Sequence, residues 1–156
     1  MKKSLILIAV LFISCPFMSS TAQAADFKWM DQHGDIHTLA EMKGKPLVLH
    51  LWASWCPPCQ SELPEFAKWL NEHPEINTIP VSLDNNLEDA AAFITAKNIT
   101  MPALLSDSTQ AGKLGVRGLP TTLIIAADGS ISQRHLGPRD WSDASFKQQI
   151  TQGLQP

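Results

Sequence analysis

A chain of 156 residues is long enough for one domain with a hydrophobic core, and its composition, 44% apolar and 17% charged, is ordinary for a globular protein. The formal net charge of -3 excludes a strongly basic surface, so a nucleic acid is not the expected partner. Three cysteines are too few for a framework of several structural disulfides.

The first 24 residues have the pattern of a secretory signal peptide. Two lysines precede an apolar run over residues 5–13, and Ala22-Gln23-Ala24 fits the small-x-small cleavage pattern. We therefore predict a signal peptide over residues 1–24, followed by one domain over residues 25–156 that works outside the cytoplasm. Two alternatives stay open, both of which attach the protein to a membrane: a retained N-terminal anchor, or lipidation at Cys15.

The next elements lead to the two other cysteines. Residues 26–38 predict a short β-hairpin around Gln32-His33-Gly34, and residues 39–42 predict one helical turn. Residues 47–52 form a near-continuous apolar run of strand length, which predicts a central strand covered on both faces. The apolar residues after Cys59 then recur at helical spacing, so residues 60–70 predict a helix that contains Pro64.

Strands and helices continue to alternate over the rest of the chain. The predicted elements are a strand over 76–83, a helix over 87–97 capped by Asn86, a short extended piece at 103–105, a helix over 108–114, strands over 121–126 and 130–136, and a final helix capped by Asp140 and Asp143. This order predicts an α/β domain with a mixed sheet covered on both faces.

The segment Cys56-Pro57-Pro58-Cys59 lies where the buried strand passes into the first helix. Unpaired N–H groups and the positive end of the dipole at a helix N-terminus stabilise a thiolate, which is the attacking species in disulfide exchange. Cys59 is placed to resolve the mixed disulfide. Pro57 suits the first helical position, whereas Pro58 removes one N–H donor that could have solvated the thiolate. Such a short loop would stabilise the fold little, so the pair is expected to be chemically active.

Several motifs together resemble the thioredoxin fold and, within it, the exported TlpA/ResA/CcmG-like thiol-disulfide oxidoreductases. The matching residues are Trp52 to Cys59, Pro64, Gly118 to Thr122, Asp31 to Gly34 and Lys43-Gly44-Lys45. The resemblance covers residues 26–153. It implies a mixed central sheet flanked by helices, with an N-terminal β-hairpin extension.

The resemblance also implies a mechanism and partners. Cys56 is the implied nucleophile, Cys59 the resolving cysteine, and Pro120 a cis proline whose loop, with Leu119, meets the substrate. The redox-active disulfide would serve without a separate cofactor or metal. The implied activity is a reductase of disulfides in exported proteins such as apocytochrome c, kept reduced by a membrane thiol-electron donor of the DsbD/CcdA type. A disulfide oxidase or isomerase is an alternative, because potential and partners choose the direction.

Four further residues are candidates for tuning or substrate contact. His50 departs from the family pattern: it is either a proton acceptor for Cys59 or, in the interpretation that we favour, a strand-core histidine bonded to a backbone carbonyl. Glu62 matches a carboxylate common in the family, although a solvated helix residue is the favoured interpretation. Asp84 is either an acidic residue beside the site or a loop cap. Trp55 is expected to form the rim of the site.

Metal binding is a rival from a different class of function. Cysteine sulfurs are soft ligands that suit Cu(I), and the chain also offers Met101 and five histidines. No second C-x-x-C motif accompanies the first. A copper-binding protein is therefore kept as an alternative to the oxidoreductase.

Overall fold

The computed structural model describes residues 26–155, so the predicted signal peptide and Cys15 lie outside the described residues. The strands in this part of the chain are β1 (Lys28–Met30), β2 (Ile36–Thr38), β3 (Leu47–Trp52), β4 (Thr78–Ser82), β5 (Leu104–Leu105), β6 (Thr121–Ile125) and β7 (Ile131–Leu136). The helices are α1 (Pro57–Glu72), α2 (Leu87–Ala96), α3 (Ser108–Lys113) and α4 (Ala144–Gly153), with a 3-10 turn at Leu39–Met42.

One mixed sheet joins all seven of these strands in the order β2-β1-β5-β4-β3-β6-β7. β3, β4 and β5 run parallel, while β6 and β7 on one side and β1 and β2 on the other pair antiparallel. The predicted mixed sheet with an N-terminal hairpin is therefore confirmed. The hairpin extends the sheet through the pair Met30 and Leu105.

β3 is the centre of the sheet, and all six of its residues are buried. Side chains alternate between the two faces of a strand, so the two sides of β3 contribute to different clusters. Leu47, Leu49 and Leu51 pack in the cluster that contains α3 residues, whereas Val48 and Trp52 pack with residues of α1, α2 and α4. His50 lies on this second face, which also holds both cysteines.

α2 and α3 begin at the expected residues and end one residue early, whereas α1 begins earlier than expected. α1 begins at Pro57 rather than at residue 60, because proline is well suited to the first helical position. α4 is capped by Asp143 alone, whose carboxylate accepts from the N–H groups of Ser145 and Phe146. Within residues 26–155, no helix is both long enough and apolar enough to span a membrane.

Candidate active site

Three loops meet at one edge of the sheet. β3 and β4 are parallel, so both end at this edge, and the antiparallel strand β6 begins there. Leu51 pairs with Thr121, which places Pro120 beside the end of β3, from which the chain passes to Cys56. The Leu119–Pro120 peptide bond is cis, as predicted. The edge therefore gathers the loop before α1, the loop after β4 and the cis-proline loop.

The two cysteines lie at the N-terminus of α1 and are joined by a disulfide with an S–S distance of 2.13 Å. Cys56 is the N-cap, and its Sγ accepts a hydrogen bond from the N–H of Cys59 at 3.3 Å. Cys56 is 4% exposed and Cys59 is fully buried. Cys56 is therefore the less buried of the two cysteines.

Pro57 and Pro58 occupy the first two positions of α1. Neither residue has a backbone N–H, so the N–H of Cys59 is the first donor that the helix offers. This donor is the one directed at Cys56 Sγ. The proline pair thus reduces the number of N–H groups near this sulfur to a single well-placed one.

Asp84 fixes the loop that leads to the cysteines. This buried carboxylate accepts hydrogen bonds from the backbone N–H and the hydroxyl of Ser54, the latter at 2.7 Å, and from the hydroxyl of Ser82 at 2.6 Å. Asp84 therefore caps a loop, as one of the two interpretations predicts, but the loop is the one before α1 and not its own. A direct role of this carboxylate in exchange stays a hypothesis.

The expectation that Glu62 is solvated is wrong. Its side chain is buried because the segment before α4 covers this face of α1, where Trp141 Nε1 donates to Glu62 at 2.9 Å and the N–H of Arg139 donates at 3.0 Å. Burial raises the pKa of Glu62 to about 7, and the hydrogen bonds from Trp141 and Arg139 oppose that rise only in part. Glu62 can therefore hold a proton near neutral pH.

His50 is fully buried in β3 and faces this carboxyl group. Its ring stacks on Phe66 at a centroid distance of 4.3 Å, and its Nε2 lies 3.4 Å from Glu62 Oε1. The core-histidine interpretation is correct on burial but wrong on the partner: Nδ1 lies 3.0 Å from the hydroxyl of Thr122, not from a backbone carbonyl. The strand register is the reason, since His50 and Thr122 are opposite each other on β3 and β6.

The hydrogen bonds of the buried His50 and Glu62 can rearrange when Glu62 gains or loses a proton. Burial lowers the pKa of His50 to about 3, so the imidazole is neutral at ordinary pH. When Glu62 is protonated, its O–H can donate to His50 Nε2 while Nδ1–H donates to Thr122. When Glu62 is ionised, Nε2–H donates to the carboxylate and the hydroxyl of Thr122 donates to Nδ1.

The two tryptophans of the motif have different environments, as expected. Trp55, just before Cys56, is 61% exposed, whereas Trp52 is fully buried. Five partners of the site were missed in the sequence: Ser54, Ser82, Thr122, Arg139 and Trp141. Thr122 had a signal, because it belongs to the Gly118 to Thr122 motif. Trp141 had no such signal, because it lies 79 positions after Glu62 and only the tertiary fold brings the two residues into contact.

A C-x-x-C disulfide at a helix N-terminus, beside a cis-proline loop in this α/β fold, defines the class of thioredoxin-like thiol-disulfide oxidoreductases. The protein sequence agrees with this class. The chain belongs to the AhpC/TSA family, whose model matches residues 21–134.

Individual relatives carry the same class of activity in their names. Sporulation thiol-disulfide oxidoreductase A of Bacillus subtilis is 31% identical over 113 residues, which are 65% of this chain and 68% of the relative. Thiol-disulfide oxidoreductase ResA of Halalkalibacterium halodurans is 30% identical over 118 residues, covering 74% of this chain and 67% of the relative. The crystal structure of StoA from Bacillus subtilis has a TM-score of 0.67 at 28% identity, covering 82% of this chain and 97% of that structure. The protein is accordingly a thiol-disulfide oxidoreductase.

Proposed function

We propose that this protein reduces disulfides in exported proteins, outside the cytoplasm, through the Cys56/Cys59 dithiol. The observation that carries the proposal is the cysteine pair at the start of α1, beside the cis Leu119–Pro120 bond. The location rests on the signal-peptide pattern of residues 1–24. Apocytochrome c is one such substrate.

The reaction begins at Cys56. Its thiolate attacks one sulfur of the substrate disulfide, so a Cys56–substrate bond forms and the second substrate sulfur leaves as a thiolate. The N–H of Cys59, already directed at Cys56 Sγ, supports the thiolate before attack. The greater exposure of Cys56 is consistent with its role as the nucleophile.

Cys59 completes the reaction. It loses a proton and attacks Cys56 Sγ, which releases the first substrate sulfur and forms the Cys56–Cys59 disulfide. Two electrons have then passed to the substrate, whose two sulfurs take up two protons. A membrane thiol-electron donor of the DsbD/CcdA type returns the pair to the dithiol.

Proton transfer from Cys59 is assigned to His50 and Glu62. Cys59 is fully buried, so bulk water is a poor acceptor for its proton. Glu62 lies three residues after Cys59, on the same face of α1, and His50 Nε2 lies against the carboxyl group. The pair accepts a proton during the attack by Cys59 and returns it when the dithiol is restored.

The residues at the rim take part in binding the substrate. Trp55 exposes an aromatic surface next to Cys56, and Leu119 is partly buried against the cluster that contains both cysteines. Pro120 presents the backbone of its loop at the same edge of the sheet. These groups bind the polypeptide on either side of the disulfide.

Trapping of the mixed disulfide tests the roles of the sulfurs. In the Cys59→Ser variant we expect a stable disulfide between Cys56 and a substrate protein, which reductant releases. The Cys56→Ser variant is the matched control and should trap nothing. Capture by Cys59 instead of Cys56 would contradict the assignment.

The direction of electron flow is tested by the reduction potential and by the redox state in the cell. A reductase requires a pair that is mostly reduced in the exported compartment. A potential near roughly -120 mV, that of a strong oxidant, would contradict the proposal.

A copper titration separates the two classes of function. Among the described residues, no group of three or more His, Cys, Asp and Glu side chains could hold a metal ion. Tight anaerobic Cu(I) binding without insulin reduction would favour the copper-binding alternative.

A further inference from the structure

Trp55 borders a groove that leads away from the cysteines. The groove has a volume of about 950 Å³ and extends to the β1–β2 hairpin. Its walls and floor include Trp29, Ile36, Trp55, Leu83, Asp84 and Leu105. It is as large as the pockets that bind whole ligands, and it is open to solvent.

Exposed apolar side chains are concentrated in this groove. In the part of the chain that the structure describes, three large apolar side chains are mostly exposed: Ile36 at 60%, Trp55 at 61% and Leu136 at 58%. Single exposed apolar residues are common, but a groove that contains two of three is typical of an interaction surface. Ile36 and Trp55 are therefore candidates for binding one partner together.

The strand register gives the distance from Ile36 across the sheet to the end of β3. Ile36 pairs with Met30, Met30 with Leu105, Leu105 with Ser82, and Ser82 with Trp52. These five residues form one row across the sheet, and four steps of about 4.8 Å give roughly 19 Å from Ile36 to Trp52, which lies three residues before Trp55. An extended polypeptide rises about 3.3 Å per residue, so this distance corresponds to about six residues.

We propose that the groove binds the polypeptide segment next to the reacting cysteine of a substrate protein. The segment is extended, with an apolar side chain against Trp55 and a second one, about six residues further from the cysteine, against Ile36. This inference rests on the proposed function, because it names the substrate segment that the same site accepts. The groove begins at the residue before Cys56, so a bound segment is continuous with the disulfide under attack.

Recognition occurs through side chains rather than by the addition of a strand. The carbonyl of Lys28 already accepts from the hydroxyl of Ser106 at 2.6 Å, and the N–H of Ser106 donates to Ser82 at 2.9 Å. The carboxylate of Asp84 is bonded to Ser54 and Ser82. Since these particular groups are already paired, the selection of the partner is assigned to apolar contacts with Trp55 and Ile36.

A pair of disulfide peptides tests the proposal. Both carry an apolar residue beside the cysteine, and they differ only six residues away, where one has leucine and the other glutamine. The parent protein should reduce the leucine peptide with a kcat/KM about tenfold higher, the effect of burying roughly one aliphatic side chain. Ile36→Glu and Ile36→Ser should both abolish this preference.

Leu136→Glu is the matched control, because Leu136 is equally exposed but lies on β7, away from the groove. This variant should keep the tenfold preference. Equal reduction of the two peptides by the parent protein would contradict the proposed role of the groove. The same loss of preference in Leu136→Glu would also contradict it.

Binding without chemistry separates this inference from the proposed function. The Cys56→Ser/Cys59→Ser variant, titrated with the leucine peptide in which serine replaces the cysteine, should bind it more tightly than the glutamine peptide. Adding Ile36→Glu should remove that difference in affinity. If the difference persists, the proposed role of the groove is contradicted. If the parent protein reduces neither peptide, the proposed function is contradicted. The binding measurement would still show whether the groove binds the peptide segment.

Discussion

Asp84 and Glu62 are equally buried, each 5% exposed, but their surroundings differ. Asp84 accepts hydrogen bonds from one N–H group and two hydroxyls of Ser54 and Ser82. Glu62 accepts from Trp141 and Arg139, and its other polar neighbour is the ring of His50. Burial alone therefore does not assign a role to a carboxylate near a reactive cysteine.

The difference lies in what each carboxylate can still do. The oxygens of Asp84 are held by Ser82 at the end of β4 and by Ser54 of the loop before Cys56, so its contribution is to fix that loop against β4. Glu62 has fewer donors and faces an imidazole whose Nε2 has no hydrogen-bond partner among the described residues. One carboxylate supports the position of the nucleophile, and the other can change its protonation during the reaction.

The largest effect on stability is expected for Asp84→Ala. The N–H and hydroxyl of Ser54 and the hydroxyl of Ser82 would lose their buried acceptor, and each unsatisfied group costs about 1 to 3 kcal/mol. We expect the free energy of unfolding to fall by about 3 to 4 kcal/mol, measured by chemical denaturation. The rate of exchange at Cys56 should fall with it, because the loop is no longer fixed.

Asp143→Ala is the matched control for that change. Asp143 is an exposed N-cap that accepts from two backbone N–H groups of α4, and water can replace it. Its removal should cost only about 1 kcal/mol. An Asp84 variant no less stable than this control would contradict the assignment of Asp84 as the anchor.

Glu62→Gln should change the pH dependence of stability. The pKa of Glu62 rises from 4.5 to about 7 on folding, so the unfolded chain loses this proton at lower pH than the folded protein does. The carboxyl therefore destabilises the fold increasingly as pH rises from about 4.5 to 7, by up to about 3 kcal/mol. The stability of the glutamine variant relative to the parent should rise over that window and level off above it. A constant difference would show that Glu62 ionises normally.

His50→Asn should change the pH dependence of stability in the opposite direction. Burial lowers the pKa of His50 from 6.5 to about 3, so the unfolded chain binds a proton that the folded protein does not accept. The stability of the asparagine variant relative to the parent should therefore rise as pH falls below 6.5. At pH 8 the lost packing on Phe66 should cost about 2 kcal/mol.

The same variant tests proton transfer during catalysis. The resolution step at Cys59 should slow, and the pKa of Cys59 in the reduced protein should change. An unchanged thiol titration and an unchanged exchange rate would contradict the role of His50 as a proton acceptor, whatever its effect on stability.

Much of the fold and the reactive pair could be predicted because their signals are local. The apolar run of residues 47–52 matched β3 at both ends, and the caps at Asn86 and Asp143 follow directly from residue type. The cis bond at Pro120 followed from the family motif. Each of these features depends on neighbours within a few positions of the chain.

The environment of Glu62 could not be predicted in this way. Its burial depends on Trp141 and Arg139, which lie 79 and 77 positions later, and no spacing in the sequence connects them. The contact of His50 with Thr122 depends on a strand register 72 positions apart. Polar groups in a core are satisfied by tertiary partners, so their roles appear only when the elements are assembled.

The smallest effect on stability is expected for Trp55, the residue that follows the loop anchored by Asp84. Its ring is 61% exposed, so Trp55→Ala should change the free energy of unfolding by less than about 0.5 kcal/mol. Tryptophan is enriched among the residues that carry most of the binding energy of protein interfaces, so kcat/KM for a protein disulfide should fall about tenfold. Trp55→Phe is the control and should retain most of the activity. A normal kcat/KM in the alanine variant would contradict the role of Trp55 in substrate contact. The loop that Asp84 fixes would then serve only to position Cys56.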